Sequence, residues 1–337
     1  MLPSRRLKIV AVLFATACLT VVLIKGLTTH QISPWGSSHR AFRTRQHSFI
    51  NQYSQTYSPS LEANQTVSIP AARRIQLGLQ LENIYDLDLR NRSFKAEGWY
   101  WLRYTTNVRT LLEKHKIGPS QIIRLANAVD SDSLNLGYSI TTVLSEQENY
   151  SRLHFSGRFY IPDMEMYGFP FYRLYLPIVM ESSSLGINCS PENKQDCIRL
   201  IFSNTNEARI LGRYIDINGF ITKGVFVSES TRRSPTDFGW KNWPSFSEIK
   251  ATVEYVTDPS DSFWQHIFPV IVLIGIAILS PTLQGSMGDL RIAIPPTVLL
   301  TLIFLQQSYQ GELPALAYST YLDWLYSFSF VIAFALF

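Results

Sequence analysis

Residues 291–323, RIAIPPTVLLTLIFLQQSYQGELPALAYSTYLD, constrain this chain more than any other stretch. They read as a membrane-length helix with one wet side, an outer loop and the start of another span. A helix over 291–310 would be roughly 30 Å long, the thickness of a bilayer's hydrocarbon core. At 100° per residue Ala293, Thr297, Thr301, Phe304 and Ser308 share one face, and Leu299, Leu302 and Ile303 lie on the other side. Hydroxyls aligned on a spanning helix suit a water-filled pore. The competing reading is that each hydroxyl bonds a backbone carbonyl one turn back.

The rest of the chain places that helix in a membrane protein with one water-facing domain. Of the 337 residues, 46% are hydrophobic and 17% charged, and the apolar residues cluster at 9–24, 263–283, 292–305 and 324–337. The first cluster follows Arg5, Arg6 and Lys8, so residues 1–29 are a signal peptide or an uncleaved signal anchor. A lipoprotein site at Ala15-Thr16-Ala17-Cys18 is disfavoured because the residues after Cys18 stay apolar. The three basic residues hold the N-terminus in the cytoplasm. The polar middle of the chain is then outside, the spans at about 263–283, 291–310 and 320–337 alternate in direction, and the outer loop 311–320 carries no Lys or Arg.

Residues 30–70 are polar and aperiodic and read as a linker or arm. From residue 71 to 258 the pattern becomes short alternating runs. Ile75, Leu77, Leu79 and Leu81 alternate with Gln76, Gly78, Gln80 and Glu82, a half-buried strand. Strands are expected at 75–82, 94–104, 136–144, 152–161, 170–180, 198–203, 209–217, 220–228 and 248–257, with a short helix within 106–130. Turn residues about every ten positions favour an all-β sandwich.

Several function classes find no support. The chain has no GxGxxG, P-loop, GxSxG or HExxH, and its six histidines do not cluster with acids in sequence, so no enzyme and no cofactor is expected. A net charge of +4 with scattered basic residues gives no nucleic-acid footprint. No metal site is expected: Cys189 and Cys197 have no His or further Cys nearby. An oxidising compartment would permit a local disulfide between these two, with the connectivity left open.

Four stretches in order carry a family likeness: GLQLENIYDLDLRNRSFKAEGWYWLRY at 78–104, FSGRFYIPDMEMYGFPF at 155–171, HIFPVIVLIGIAILSPTL at 266–283, and GDLRIAIPPTVLLTLIFLQQSYQGELPALAYSTYLDW at 288–324. The chain resembles the pentameric ligand-gated ion channels, the Cys-loop receptor superfamily, in its prokaryotic branch. The most specific element is Leu313, Pro314, Tyr318, Thr320 and Asp323. The likeness implies an extracellular all-β, immunoglobulin-like ligand-binding sandwich at 71–258, then an α-helical transmembrane pore domain at 259–337 with three of the family's four spans. Five copies would ring a pore in the plasma (inner) membrane as a multi-pass protein. Its partners would be lipid, inorganic ions, further copies of itself, and a small-molecule ligand or protons.

Carried over residue by residue, the likeness implies a lumen lined by Ala293, Thr297, Leu300, Thr301, Phe304, Gln307 and Ser308, with Leu300 as a hydrophobic gate that closes by dewetting. Asp289 and Arg291 would flank the cytoplasmic mouth and set ion sign, Asp289 favouring cations. Asp86 and Asp88 in the first turn, and Phe169 and Pro170 in the signature loop, would press on the outer loop at Pro314 and Tyr318. The agonist site would draw on Phe238, Trp240 and Trp243. The sequence departs from the family in placing Tyr172 where an acid usually follows Phe-Pro-Phe, Thr257-Asp258 where basic residues precede the first span, and Pro295-Pro296 inside the pore helix, where a kink is expected. A non-conducting, membrane-anchored β-sandwich sensor derived from the family is the alternative.

Overall fold

A computed structural model describes residues 73–129, 135–145, 147–183, 197–203, 210–233, 245–283 and 288–336. The N-terminal segment, the linker, Cys189, Phe238, Trp240 and Trp243 lie outside these residues. The described chain divides into a β-rich unit and a helical unit.

Among the described residues the β-rich unit contains ten strands: β1 (Arg74–Asp88), β2 (Ser93–Thr105), β3 (Ile123–Leu125), β4 (Asn135–Ser145), β5 (Glu148–Tyr160), β6 (Arg173–Ser182), β7 (Arg199–Phe202), β8 (Leu211–Tyr214), β9 (Phe220–Arg233) and β10 (Ser245–Thr257). They form two sheets. One runs β4-β5-β2-β1-β7, with β8 also on β1; the other runs β3-β6-β10-β9. All pairings are antiparallel except those of β1 with β7 and β8.

The alternation read from the sequence sets which side chains fill the core. Ile75, Leu77, Leu79 and Leu81 of β1 are buried, as are Phe94, Tyr100 and Leu102 of β2 and Leu153, Phe155 and Phe159 of β5. The second sheet buries Leu174, Leu176, Ile178 and Met180 of β6 with Ile249, Ala251, Val253 and Tyr255 of β10. Each large side chain so buried contributes about 1.5–3 kcal/mol. Between β1 and β2 the backbones approach so closely that a Cβ on Gly98 would lie 2.2 Å from the Gln80 carbonyl oxygen, beside the bulge between Leu81 and Asn83. The helix expected within 106–130 is α1 (Thr106–Lys114), which buries Val108 and Leu112.

Strand limits differ from expectation at several ends: β1 runs on to Asp88 rather than ending at 82, β5 starts at Glu148 rather than 152, and β10 starts at Ser245 rather than 248. The β9 strand runs on to Arg233 because Phe246 and Ser245 continue to pair with it; as an edge strand it tolerates the polar run that made its end look like loop. The run expected to start at 170 begins at Arg173, since residues 170–172 belong to a loop that groups with the helices.

The helical unit comprises Glu165–Tyr172 and the chain from Asp258 onward. Its helices are α2 (Pro259–Thr282), α3 (Gly288–Glu312) and α4 (Tyr321–Leu336). The first two are long and apolar enough to cross a membrane; α4 is apolar but shorter. Asp258 starts α2 by accepting the Ser260 amide at 2.9 Å, with Pro259 at the first helical position. The α3 helix runs unbroken through Pro295 and Pro296.

Candidate functional site

The site is built from two features of the helical unit: the uncovered face of α3, and the loop 165–172 seated on the helix ends. Along α3, Pro295, Val298, Leu302 and Tyr309 are buried against its neighbours. Ala293, Thr297, Leu300, Phe304, Gln307 and Ser308 lie on the exposed side, and Thr301 is half-buried at its edge. Asp289 is exposed and Arg291 half-buried at the start of the helix. The uncovered strips of the other two helices differ in chemistry. That of α2 carries Trp264, Phe268, Val272, Ile276 and Leu279, and that of α4 carries Trp324, Phe328, Val331 and Phe334. The α3 strip sets Thr297, Gln307 and Ser308 beside Leu300 and Phe304, whereas α2 exposes Gln265 near its start and α4 exposes Ser327 among their apolar residues.

The hydroxyls themselves take the local option. Thr297 donates to the Ala293 carbonyl and Thr301 to the Thr297 carbonyl, both at 2.8 Å. Each still leaves oxygen lone pairs on the helix surface. The alignment of threonines therefore has a backbone explanation of its own.

The loop 165–172 is held by main-chain and ring contacts. The Tyr321 amide donates to the Tyr167 carbonyl at 2.8 Å and the Leu322 amide to the Phe169 carbonyl at 3.2 Å. The Tyr318 hydroxyl accepts the Met166 amide at 3.0 Å, and the Tyr167 and Tyr318 rings stack at 3.8 Å. Phe169, followed by a cis peptide to Pro170, packs its ring 5.1 Å from His266 of α2 and 5.9 Å from Tyr309 of α3. One loop thereby touches α2, α3, α4 and the α3–α4 connection. Pro314 is buried in that connection.

The most specific sequence element proves to be a helix start. Thr320 caps α4: its amide and hydroxyl both donate to the Asp323 carboxylate at 2.8 Å, and its hydroxyl accepts the Asp323 amide at 3.2 Å. Asp323 also accepts from Tyr309 and Gln310, tying α4 to α3. Asp323 thus serves as a structural tie, a role the sequence pattern alone did not separate from function.

A polar cavity of about 190 Å³ opens among the three helices, lined by Gln265, His266, Leu305, Ser308, Tyr309 and Glu312. The sequence spacing, in which no histidine clusters with acids, does not foresee this pairing. His266 and Glu312 are far apart in sequence, and helix packing brings them to one cavity. Among the described residues no group of three or more His, Cys, Asp or Glu could hold a metal.

In the β-rich unit, Asp86 and Asp88, expected in the first turn, are the last residues of β1, which runs on to the edge of the turn at 89–92. Asp86 sits at φ 52°, a left-handed conformation that Asp tolerates. Its carboxylate accepts Arg158 at 2.6 Å and Lys95 at 2.9 Å. These contacts, the Lys95 hydrogen bond first, hold its pKa below the usual carboxylate range. Asp88 accepts the Asn91 amide and side chain, which lowers its pKa likewise. On the second sheet, Glu181 is fully buried between Arg124 and Arg232, a cluster that the sequence did not suggest. Cys197 is buried; its suggested partner Cys189 falls outside the described residues.

No protein-family profile matches the chain, and no curated protein matches it.

Proposed function

We propose that this chain is a subunit of a homopentameric ligand-gated ion channel in the plasma (inner) membrane. The β-rich unit is an immunoglobulin-like sandwich outside the cytoplasm, and α3 lines a cation-conducting pore. One observation carries the reading: the uncovered strip of α3 presents three polar side chains, Thr297, Gln307 and Ser308, along its length, whereas those of α2 and α4 are mostly the bulky apolar residues that lipid favours, with Gln265 near one end of α2 and Ser327 on α4. Five Leu300 side chains, with Phe304 one turn further out, form a constriction that dewets when closed. The loop 165–172, locked to all three helices, offers a rigid seat through which ligand-driven movement reaches the gate.

Purified protein in planar bilayers tests this. Openings are expected, and Leu300→Ser is expected to raise open probability by wetting the constriction. Silence of both proteins with fivefold assembly intact refutes conduction. The second reading, a non-conducting anchored sensor, draws on Thr297 and Thr301, whose hydroxyls are engaged with their own helix. A monomer or dimer in mild detergent favours it.

A further inference from the structure

One end of the helical unit carries acids and no Lys or Arg. Among its described residues the one Lys or Arg is Arg291, near the start of α3 and roughly 30 Å along that helix from Glu312. Asp258, Asp261, Glu312 and Asp323 stand at the opposite end, where α2 and α4 begin and α3 finishes. Three of these carboxylates are engaged within the fold. Asp258 accepts the Ser260 amide, Asp261 accepts the Gln265 side chain at 2.7 Å, and Asp323 ties α4 to α3. Glu312 makes no hydrogen bond or ion pair among the described residues, and it borders the cavity of about 190 Å³ among the three helices.

The same cavity holds oxygens that lack protein donors. Tyr326 of α4 lines it and is 3% exposed, yet its hydroxyl bonds to no described residue. A buried hydroxyl left without a partner is costly. The Ser308 hydroxyl likewise has no partner among the described residues. Gln265 spends its amide nitrogen on Asp261 and keeps its amide oxygen as an acceptor. A carboxylate and three neutral oxygens around one cavity match a positively charged group with several N–H donors. A metal ion fits less well, because no group of three or more His, Cys, Asp or Glu gathers among the described residues. Leu305 and Pro269 add apolar wall, so the cavity also suits a short alkyl stem.

The geometry points to a binding site for a small primary ammonium group in this cavity. Glu312 of α3 supplies the counter-charge, and Gln265 of α2, Ser308 of α3 and Tyr326 of α4 supply further acceptors. The occupant therefore bridges all three helices. It also steadies the loop 165–172, because His266 and Tyr309, which line the same cavity, are two of the rings against which Phe169 packs. Neither fivefold assembly nor conduction enters this inference.

Calorimetric titration of the full-length chain in detergent at pH 8 with n-propylammonium chloride tests the site. One amine per chain is expected. Glu312→Gln is expected to weaken binding at least tenfold and Tyr326→Phe at least twofold, while Glu312→Asp keeps measurable affinity. Neutral 1-propanol, with the same number of heavy atoms, is expected not to compete. Bound amine should also slow amide exchange at Tyr321 and Leu322, and exchange of Glu312→Gln without amine verifies that this variant is folded. Unchanged affinity in folded Glu312→Gln, competition by 1-propanol, or slowing confined to the β-rich unit overturns the proposal. The ammonium has two sources, a free amine or the headgroup of phosphatidylethanolamine. Native mass spectrometry from micelles holding equal phosphatidylethanolamine and phosphatidylcholine separates them. Retention of the first at least threefold over the second, lost in Glu312→Gln, assigns the headgroup; equal retention assigns the free amine.

Discussion

Truncating Phe169 should unlatch the loop 165–172 from the helices. The side chain is 5% exposed, and its ring packs against His266, Tyr309 and Tyr172. Removing a buried phenylalanine costs about 3–5 kcal/mol. That cost falls on the opening that frees the carbonyls of Tyr167 and Phe169 from the amides of Tyr321 and Leu322. Amide hydrogen exchange reads such local openings directly. At 1.36 kcal/mol per tenfold, Phe169→Ala should speed exchange at Tyr321 and Leu322 by roughly 10²-fold or more. Phe169→Leu keeps most of the volume and loses the ring pairs, each worth about 0.5–1.5 kcal/mol, so roughly tenfold is expected. The Ile249 amide in β10 is the internal control and should not change. Exchange at 321–322 within twofold of the parent protein after Phe169→Ala would refute the latch.

Other expectations follow from side chains already placed. Asp86 has its pKa depressed by Lys95 and Arg158, so its contribution to stability is present above the unfolded carboxylate value of about 3.9 and lost as pH falls through the folded one. Asp86→Asn should flatten the acid limb of a denaturation-midpoint profile between pH 3 and 7; an unchanged limb contradicts the assignment. Replacing both Arg124 and Arg232 with alanine strands the buried Glu181 and should cost about 3–5 kcal/mol in urea unfolding, whereas Glu181→Leu should cost markedly less. Thr320→Ala removes the α4 cap and should cost about 1 kcal/mol in thermal unfolding in detergent. Asp323→Ala should cost more, because four donor groups lose their acceptor.

The two-residue period was enough to locate β1, β2, β5 and β10, because each has one buried face and one wet face. It misplaced the end of β9, whose polar residues gain their order from pairing with β10. The 3.6-residue period likewise picked out the strip through Ala293, Thr297, Thr301, Phe304 and Ser308, while Leu300 and Gln307 came only from the family likeness. It could not decide where the threonine hydroxyls point, since a helical threonine reaches its own carbonyl as easily as a lumen. The His266–Glu312 cavity, the grip of Arg158 on Asp86 and the double pairing of Glu181 were invisible for one shared reason. Each joins residues that only packing between separate elements brings together.

The loop 165–172 is inserted between strands β5 and β6 yet groups with the helices, so within the described residues the chain passes between its two units at 164–165, at 172–173 and at 257–258. A single cut at 257–258 would therefore leave behind a segment whose Met166, Phe169 and Pro170 are buried in the intact protein. Freed of its seat, that segment becomes a sticky apolar tab on the severed half. A well-behaved water-soluble fragment of the β-rich half calls for a second edit, a short polar turn in place of residues 165–172.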